Sequence, residues 1–404
     1  MVKARDDIFD VQRYIYEHPD APTEILDDAK SCLDRLKRAE MAAMEGNPSG
    51  YDCCRRLLAL VNVGLITVEE LVARGLTTRE AFIKTLNRDE FFRSNPIAWS
   101  SNKFEPNMED GDDVTDVCLL GMPSAGKTCV LMGLLGSDKY IWNNAIADGK
   151  YGDILSTYRD NHLLSGHTLD NLFASIHGTV ADSKGGKHRV NLIELAGVRF
   201  LDKLAENPHK EITLEDMVGN VAAKLLRNDN RKIFFIVIDP TNLEIRWGKP
   251  VRHIDEEGCE YYDYVSCCLS QKLIIRGIAN ALFDPSNAEI MKRVDALHFI
   301  VTKWDAMGAN VSPRDCINDY SLSVNVIEEL CRSKDAHINE ATGFKPKLYT
   351  FSLGKFYVGG TFDFDPTDSD KLMDVITDAV SVAAKRRRRW YRRLLRTIFG
   401  TKHR

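Results

Sequence analysis

Apolar positions along this chain change their spacing near residue 116, and the change separates two kinds of structure. Before it the spacing is helical. Glu24 to Met44 is rich in Ala, Leu, Arg, Lys and Glu, with Ile25, Ala29, Cys32, Leu33 and Leu36 on one helical face. Two short units then follow, Gly64 to Glu70 and Gly75 to Glu80. Each places a Thr three residues before a Glu (Thr67 and Glu70, Thr77 and Glu80), so that hydroxyl and carboxylate satisfy the first amides of a helix reciprocally. The glycine that opens each unit ends the preceding helix. Residues 1–95 are therefore predicted as an all-α module of short helices in which no residue combination suggests chemistry, with docking of a protein partner preferred over a structural extension. Residues 96–115 are polar and without periodicity, as expected of a linker.

From Asp116 onward, short β-branched runs alternate with helical patterns. The runs are Val117–Leu120, Val190–Leu195, Ile233–Ile238, Leu297–Val301 and Leu348–Ser352. The helical segments are Lys127–Leu135, Leu214–Leu226, Tyr262–Leu282, Asp315–Cys331 and Asp370 onward. This alternation predicts an α/β domain over 116–384, a mostly parallel sheet with helices on both faces. A ligand is then expected at the carboxyl ends of the strands.

Composition adds little until charge is considered. Hydrophobic content of 44% and charged content of 28% fit a soluble globular protein, and no apolar run approaches the length of a membrane span. The N-terminus lacks the pattern of a secretory signal, so a cytoplasmic location is expected. The ten cysteines form no C-x-x-C and are read as reduced thiols. The net charge of −5 conceals an asymmetry: residues 385–404 hold Lys and Arg with no acid, against an acidic body. Within that tail Trp390, Tyr391, Leu394, Leu395, Ile398 and Phe399 recur at helical spacing, a pattern that suits a helix lying on an anionic membrane surface. Packing of the stripe on the N-terminal helices, and RNA binding, are the alternatives. Homo-oligomerisation stays open as well.

The densest chemistry lies in Gly121-Met122-Pro123-Ser124-Ala125-Gly126-Lys127-Thr128, a G-x-x-x-x-G-K-T loop between an apolar strand and a helix. In that context the amides from Ser124 to Thr128, with Cys129 following, would wrap a β-phosphate. Lys127 would reach the β- and γ-oxygens, and the Thr128 hydroxyl would bind Mg²⁺. The strand Leu297–Val301 runs into Thr302-Lys303-Trp304-Asp305. Guanine presents N1–H and N2–H₂ side by side, which one carboxylate can accept together, and Asp305 is placed to do so beside the stem of Lys303. The next strand ends in Ser352-Leu353-Gly354-Lys355, whose amides can donate to guanine O6.

In these three motifs and their order the chain resembles the Ras-like, TRAFAC-type P-loop GTPases, and looks most like bacterial members with a helical N-terminal module. The resemblance covers residues 116 to about 384. It implies a mixed six-stranded sheet, Mg²⁺, and a switch between GTP and GDP. The family's D-x-x-G is here Glu194-Leu195-Ala196-Gly197, so Glu194 would hold Mg²⁺ through a water while Gly197 gives its amide to the γ-phosphate. Val198 stands where many members carry glutamine, which implies slow hydrolysis, with Arg199 and His177 merely nearby in sequence. For the switch threonine that binds Mg²⁺ the choice is Thr168, ahead of Thr157 and Thr179. Asp239, ending the run Ile233–Ile238, is the alternative acid on an ATPase reading, and a non-hydrolysing nucleotide-loaded scaffold is a further alternative.

Overall fold

The structure, a computed structural model, describes residues 7–46, 51–94, 113–142, 149–164, 173–195, 201–206, 212–254, 260–307, 311–318 and 346–399. It divides into two compact units. The first comprises Met1–Pro96 with Asn161–Leu164 and Lys355–Asp363, and the second holds the remainder.

Six helices build the first unit: α1 (Ile8–Glu17), α2 (Thr23–Gly46), α3 (Tyr51–Asn62), α4 (Val68–Ala73), α5 (Arg79–Leu86) and α6 (Arg88–Ser94). They bury Ile8, Met44, Leu57, Leu60, Ile66 and Leu71 in one core. Thr67 and Glu70 form the expected capping box at the start of α4. The second cap falls one residue later than expected: Thr78, not Thr77, accepts from the Ala81 amide, and Thr77 is buried. Every described element within residues 7–94 is helical, and the compact unit also takes in two segments from later in the chain. One of them, Lys355–Asp363, is the turn of a two-stranded hairpin, with Val358 in the helical core and its amide on the Leu76 carbonyl at 2.9 Å. Buried Arg88 donates to the Gly359 carbonyl at 2.9 Å, and Phe362 bonds back to His162 at 3.0 Å. Periodicity along 1–95 could not reveal these partners, because they arrive from distant sequence.

The second unit is α/β. Its strands are β1 (Val114–Gly121), β2 (Tyr140–Trp142), β3 (Phe173–Ala181), β4 (Lys187–Leu195), β5 (Arg231–Ile238), β6 (Glu244–Ile254), β7 (Glu260–Ser270), β8 (Val294–Val301) and β9 (Leu348–Thr350). Seven form one sheet in the order β2-β3-β4-β1-β5-β8-β9. Pairing is parallel from β4 to β9 and antiparallel at β3 and β2. Its helices are α7 (Lys127–Leu135), α8 (Gly149–Asp160), α9 (Leu201–Glu206), α10 (Leu214–Leu226), α11 (Gln271–Phe283), α12 (Ala288–Met291), α13 (Asp315–Asn318) and α14 (Thr367–Phe399). Strand β1 is buried along its whole length, as a central parallel strand must be.

Two departures from expectation have clear causes. The sheet has seven strands rather than six because the three-residue β2 pairs onto β3. Buried Tyr140 secures it, its hydroxyl donating to the Ile176 carbonyl at 2.8 Å while its ring packs on Gly178. Residues 262–270 are strand, not the start of a helix. There Tyr262, Tyr264 and Val265 pair with β6 in an eleven-residue antiparallel ribbon. The helix begins only at Gln271, where Ser270 caps it. Of the expected helix Asp315–Cys331, only Asp315–Asn318 lies within the described residues.

A row of buried polar side chains crosses the sheet, near the amino ends of β1 and β5 and at the middle of β3 and β4. His177, Asn191, Asp116 and Lys232 stand directly opposite one another on β3, β4, β1 and β5. His177 Nδ1 meets Asn191 Oδ1 at 2.7 Å, and Asn191 Nδ2 donates to Asp116 Oδ1 at 2.7 Å. Lys232 Nζ lies 3.1 Å from Asp116 Oδ2, both side chains being fully buried. Asn228 and Asn230 complete the set: the ammonium donates to Asn228 Oδ1 (2.5 Å) and the Asn230 carbonyl (2.8 Å), and the carboxylate accepts from both amides. A buried ion pair survives desolvation only when its remaining donors and acceptors are met, as they are here. Lys232→Met is expected to cost about 3–5 kcal/mol in urea denaturation by stranding the Asp116 charge, and Asp116→Asn added to it should recover part of that loss by removing the charge while keeping an acceptor for the asparagine amides.

Candidate functional site

Strand β1 ends at Gly121, and the chain folds into a tight loop before α7 begins at Lys127. Side chains would obstruct this path. Gly121 has φ 152°, and a Cβ on it would meet the Val237 carbonyl oxygen of the adjoining strand at 2.4 Å. Ser124 adopts φ 61°, one of three non-glycine residues with positive φ among the described residues. Gly126, at φ 87°, is the N-cap of α7 and offers no side chain to satisfy the first amides of the helix. Such a helix start attracts negative charge.

Lys127 is buried and folds back over the loop, donating to the carbonyls of Gly121 (3.2 Å) and Met122 (2.9 Å). Burial lowers its pKa to about 8, with the Glu194 carboxylate opposing that shift. The Thr128 hydroxyl donates to Glu194 Oε1 at 2.7 Å. Glu194 is buried near the end of β4, where register sets it opposite Leu119 of β1. Together they present a hydroxyl and a carboxylate, the hard oxygen donors that suit Mg²⁺, which keeps several of its waters. Among the described residues no cluster of three His, Cys, Asp or Glu could hold a metal by itself. Thr168 and Gly197, the other expected contributors, lie outside the described residues, as does Arg199.

The second half of the site comes from β8 and the segment after β9. The Thr302 hydroxyl lies 2.6 Å from the Ala125 carbonyl and 3.1 Å from that of Ile238, tying the end of β8 to the glycine loop and to β5. Lys303 is left-handed at φ 53°, and its ammonium reaches Asp239 Oδ2 at 2.5 Å. Asp305 Oδ1 accepts from the Ser352 hydroxyl at 3.0 Å. Burial pushes the Asp305 carboxyl above its ordinary range against the pull of that hydrogen bond. The Gly354 amide donates to Ser352 Oγ at 3.1 Å, and buried Leu353 accepts from the Asp365 amide at 2.8 Å, which shapes the loop beside Asp305. Cys129 connects the halves. Its thiol is pushed up to about 12 by burial, and it feels the charges of Lys303, Glu194 and Asp305.

The remaining candidates fall elsewhere. Thr157 is inside α8, its hydroxyl on the Asp153 carbonyl at 2.8 Å. Thr179 is a strand residue of β3 opposite Ile141 and Arg189. His177 belongs to the buried polar row, a fold position. Asp239 has its carboxylate on Thr241 and Lys303, as a turn-forming residue would. Sequence reading missed Gln271, whose side-chain amide grips the Asp239 backbone on both sides, accepting from its N–H and donating to its carbonyl at 2.8 Å each. No spacing rule links residues so far apart. Comparison with protein-family models and with curated proteins finds no match.

Proposed function

We propose that this chain is a guanine-nucleotide-binding protein of the P-loop kind that hydrolyses GTP slowly, as a molecular switch. The observation that carries this reading is the convergence, at the carboxyl ends of adjacent parallel strands, of the glycine loop, Glu194, the Thr302–Asp305 turn and the Ser352–Gly354 loop. Amides from Ser124 to Thr128 would cradle the β-phosphate, and Lys127 would turn from its loop carbonyls to the β- and γ-oxygens. Thr128 directly, Glu194 through a water, and Thr168 would hold Mg²⁺, which when bound neutralises charge on the phosphate oxygens. Gly197 would contact the γ-phosphate. Asp305 would accept from guanine N1–H and N2–H₂, oriented by Ser352, while amides around Leu353 and Gly354 face O6.

Binding without turnover is the second reading, favoured by Val198 in place of a water-orienting glutamine. Single-turnover assays separate the two. The ATPase alternative has less support, since the Asp239 carboxylate is committed to Lys303 and Thr241. Signalling to a protein partner through residues 1–95 completes the proposal.

The basic half of α14 is proposed to meet an anionic lipid surface. This helix runs unbroken from Thr367 to Phe399, and no helix among the described residues is long and apolar enough to cross a membrane. Ten Lys and Arg without an acid in 385–404 supply the charge.

Three outcomes test these statements. Asp305→Asn should weaken GTP binding about a hundredfold, near 3 kcal/mol, and admit xanthosine triphosphate, as read by calorimetry against GTP, GDP and ATP. Lys127 is charged below about pH 8 and becomes neutral above it. Triphosphate binding should therefore take up a proton at higher pH, and affinity should fall by up to about tenfold per pH unit above 8. The full chain should co-sediment with phosphatidylserine vesicles at low salt and much less at about 0.5 M salt, whereas a chain ending at Ala384 should stay in the supernatant under both conditions.

A further inference from the structure

Asp239 follows β5 directly, fully buried, and on the guanine-nucleotide reading neither phosphate nor metal binding falls to it. Its carboxylate is nevertheless held with unusual care. Oδ1 accepts from the amide (2.9 Å) and hydroxyl (2.6 Å) of Thr241, leaving Oδ2 to the Lys303 ammonium at 2.5 Å. Gln271 clamps the Asp239 backbone and donates to the Asn242 carbonyl at 3.3 Å, and its own amide reaches Leu243 at 2.7 Å. The carboxylate therefore sits on a turn that cannot drift.

Lys303 is the residue so held. Its left-handed backbone is strained for a side chain of that size, and strain of this kind persists where surrounding contacts over-determine it. The Thr302 hydroxyl fixes the backbone just before it, and the Asp239 pair fixes the far end of its side chain. A lysine stem anchored at both ends is a rigid rail rather than a flexible chain.

We propose that Asp239 is a positioning residue for base recognition. By holding the Lys303 ammonium it lays the methylene stem alongside Asp305, as one wall of the slot that takes the purine. This rests on the guanine-nucleotide reading above. Lysine loses much rotamer freedom when its stem is ordered against a ring, and the ion pair makes that loss before the ligand arrives. The effect belongs to the base end of the site, so it is equal for di- and triphosphates and indifferent to magnesium.

The test is a double-mutant cycle on the full chain, measuring GTP and GDP affinity by calorimetry with and without magnesium. Asp239→Asn and Lys303→Met should each weaken both nucleotides about tenfold, and the double variant should be no weaker than Lys303→Met alone. Thr241→Val, which loosens the turn but keeps the carboxylate–lysine pair, should change affinity less than about twofold. Multiplicative losses in the double variant, or a Thr241→Val loss equal to that of Asp239→Asn, would assign the effect to folding of the turn and overturn the inference. A loss confined to GTP with magnesium would make Asp239 a metal-side acid and overturn it too. If the wild-type chain bound neither guanine nucleotide, the underlying reading would fail and this inference with it.

Discussion

The Thr302 hydroxyl lies within hydrogen-bonding distance of the Ala125 and Ile238 carbonyls, and its amide also reaches Ile238, so the end of β8 is fastened to the glycine loop and to β5 at one point. Much else depends on that fastening. The Gly126 backbone approaches the Thr302 side chain so closely that a Cβ there would lie 3.2 Å from it, which holds the loop in the positive-φ path that opens the start of α7. Just beyond the same point Lys303 is left-handed and Asp305 sits in the 3-10 turn that follows, and their side chains reach Asp239 and Ser352. Without it the loop after β1 and the turn after β8 would be two surface loops on separate strands.

Parallel pairing sets the stage for this contact. With β1 between β4 and β5, and β8 beyond β5, the carboxyl ends of four strands lie side by side. Each end delivers one group: the glycine loop, Glu194, Asp239 and Thr302. The two acids then part company through their surroundings. Glu194 takes the Thr128 hydroxyl, and Asp239 takes the Lys303 ammonium, so one faces the loop and the other the β8 turn. The opposite, amino ends of β1 and β5 hold the ion pair of Asp116 and Lys232 with its asparagines, a satisfied polar row that serves register and leaves the carboxyl ends free for chemistry.

Legibility in the sequence varied with the range of the interactions involved. The five apolar runs all became strands of the main sheet, and for β1, β5 and β8 the reason is burial on both faces, which leaves a continuous apolar signal. The cap at Thr67 was readable because hydroxyl, carboxylate and amides lie within one turn. The shift from Thr77 to Thr78 was not, since two adjacent threonines offer the same hydroxyl and burial of Thr77 decides between them. Strand β7 reads as helix from Tyr262 onward because Tyr262 to Ser270 is apolar enough for either state, and only its cross-strand partner β6 settles the matter.

By itself, the sequence determined the α/β alternation, the positions of the glycine loop, the Thr302–Asp305 turn and the Ser352–Gly354 loop, and the charge asymmetry of the tail. These depend on local spacing and composition, which a chain carries without folding. Tertiary structure alone decided that Thr302 bridges to Ala125, that Asp239 holds Lys303 while Gln271 holds Asp239, that His177 joins a polar row, and that residues near 355–363 complete the helical unit. Each joins groups brought together by strand order or chain return, and no local periodicity encodes a partner that distant.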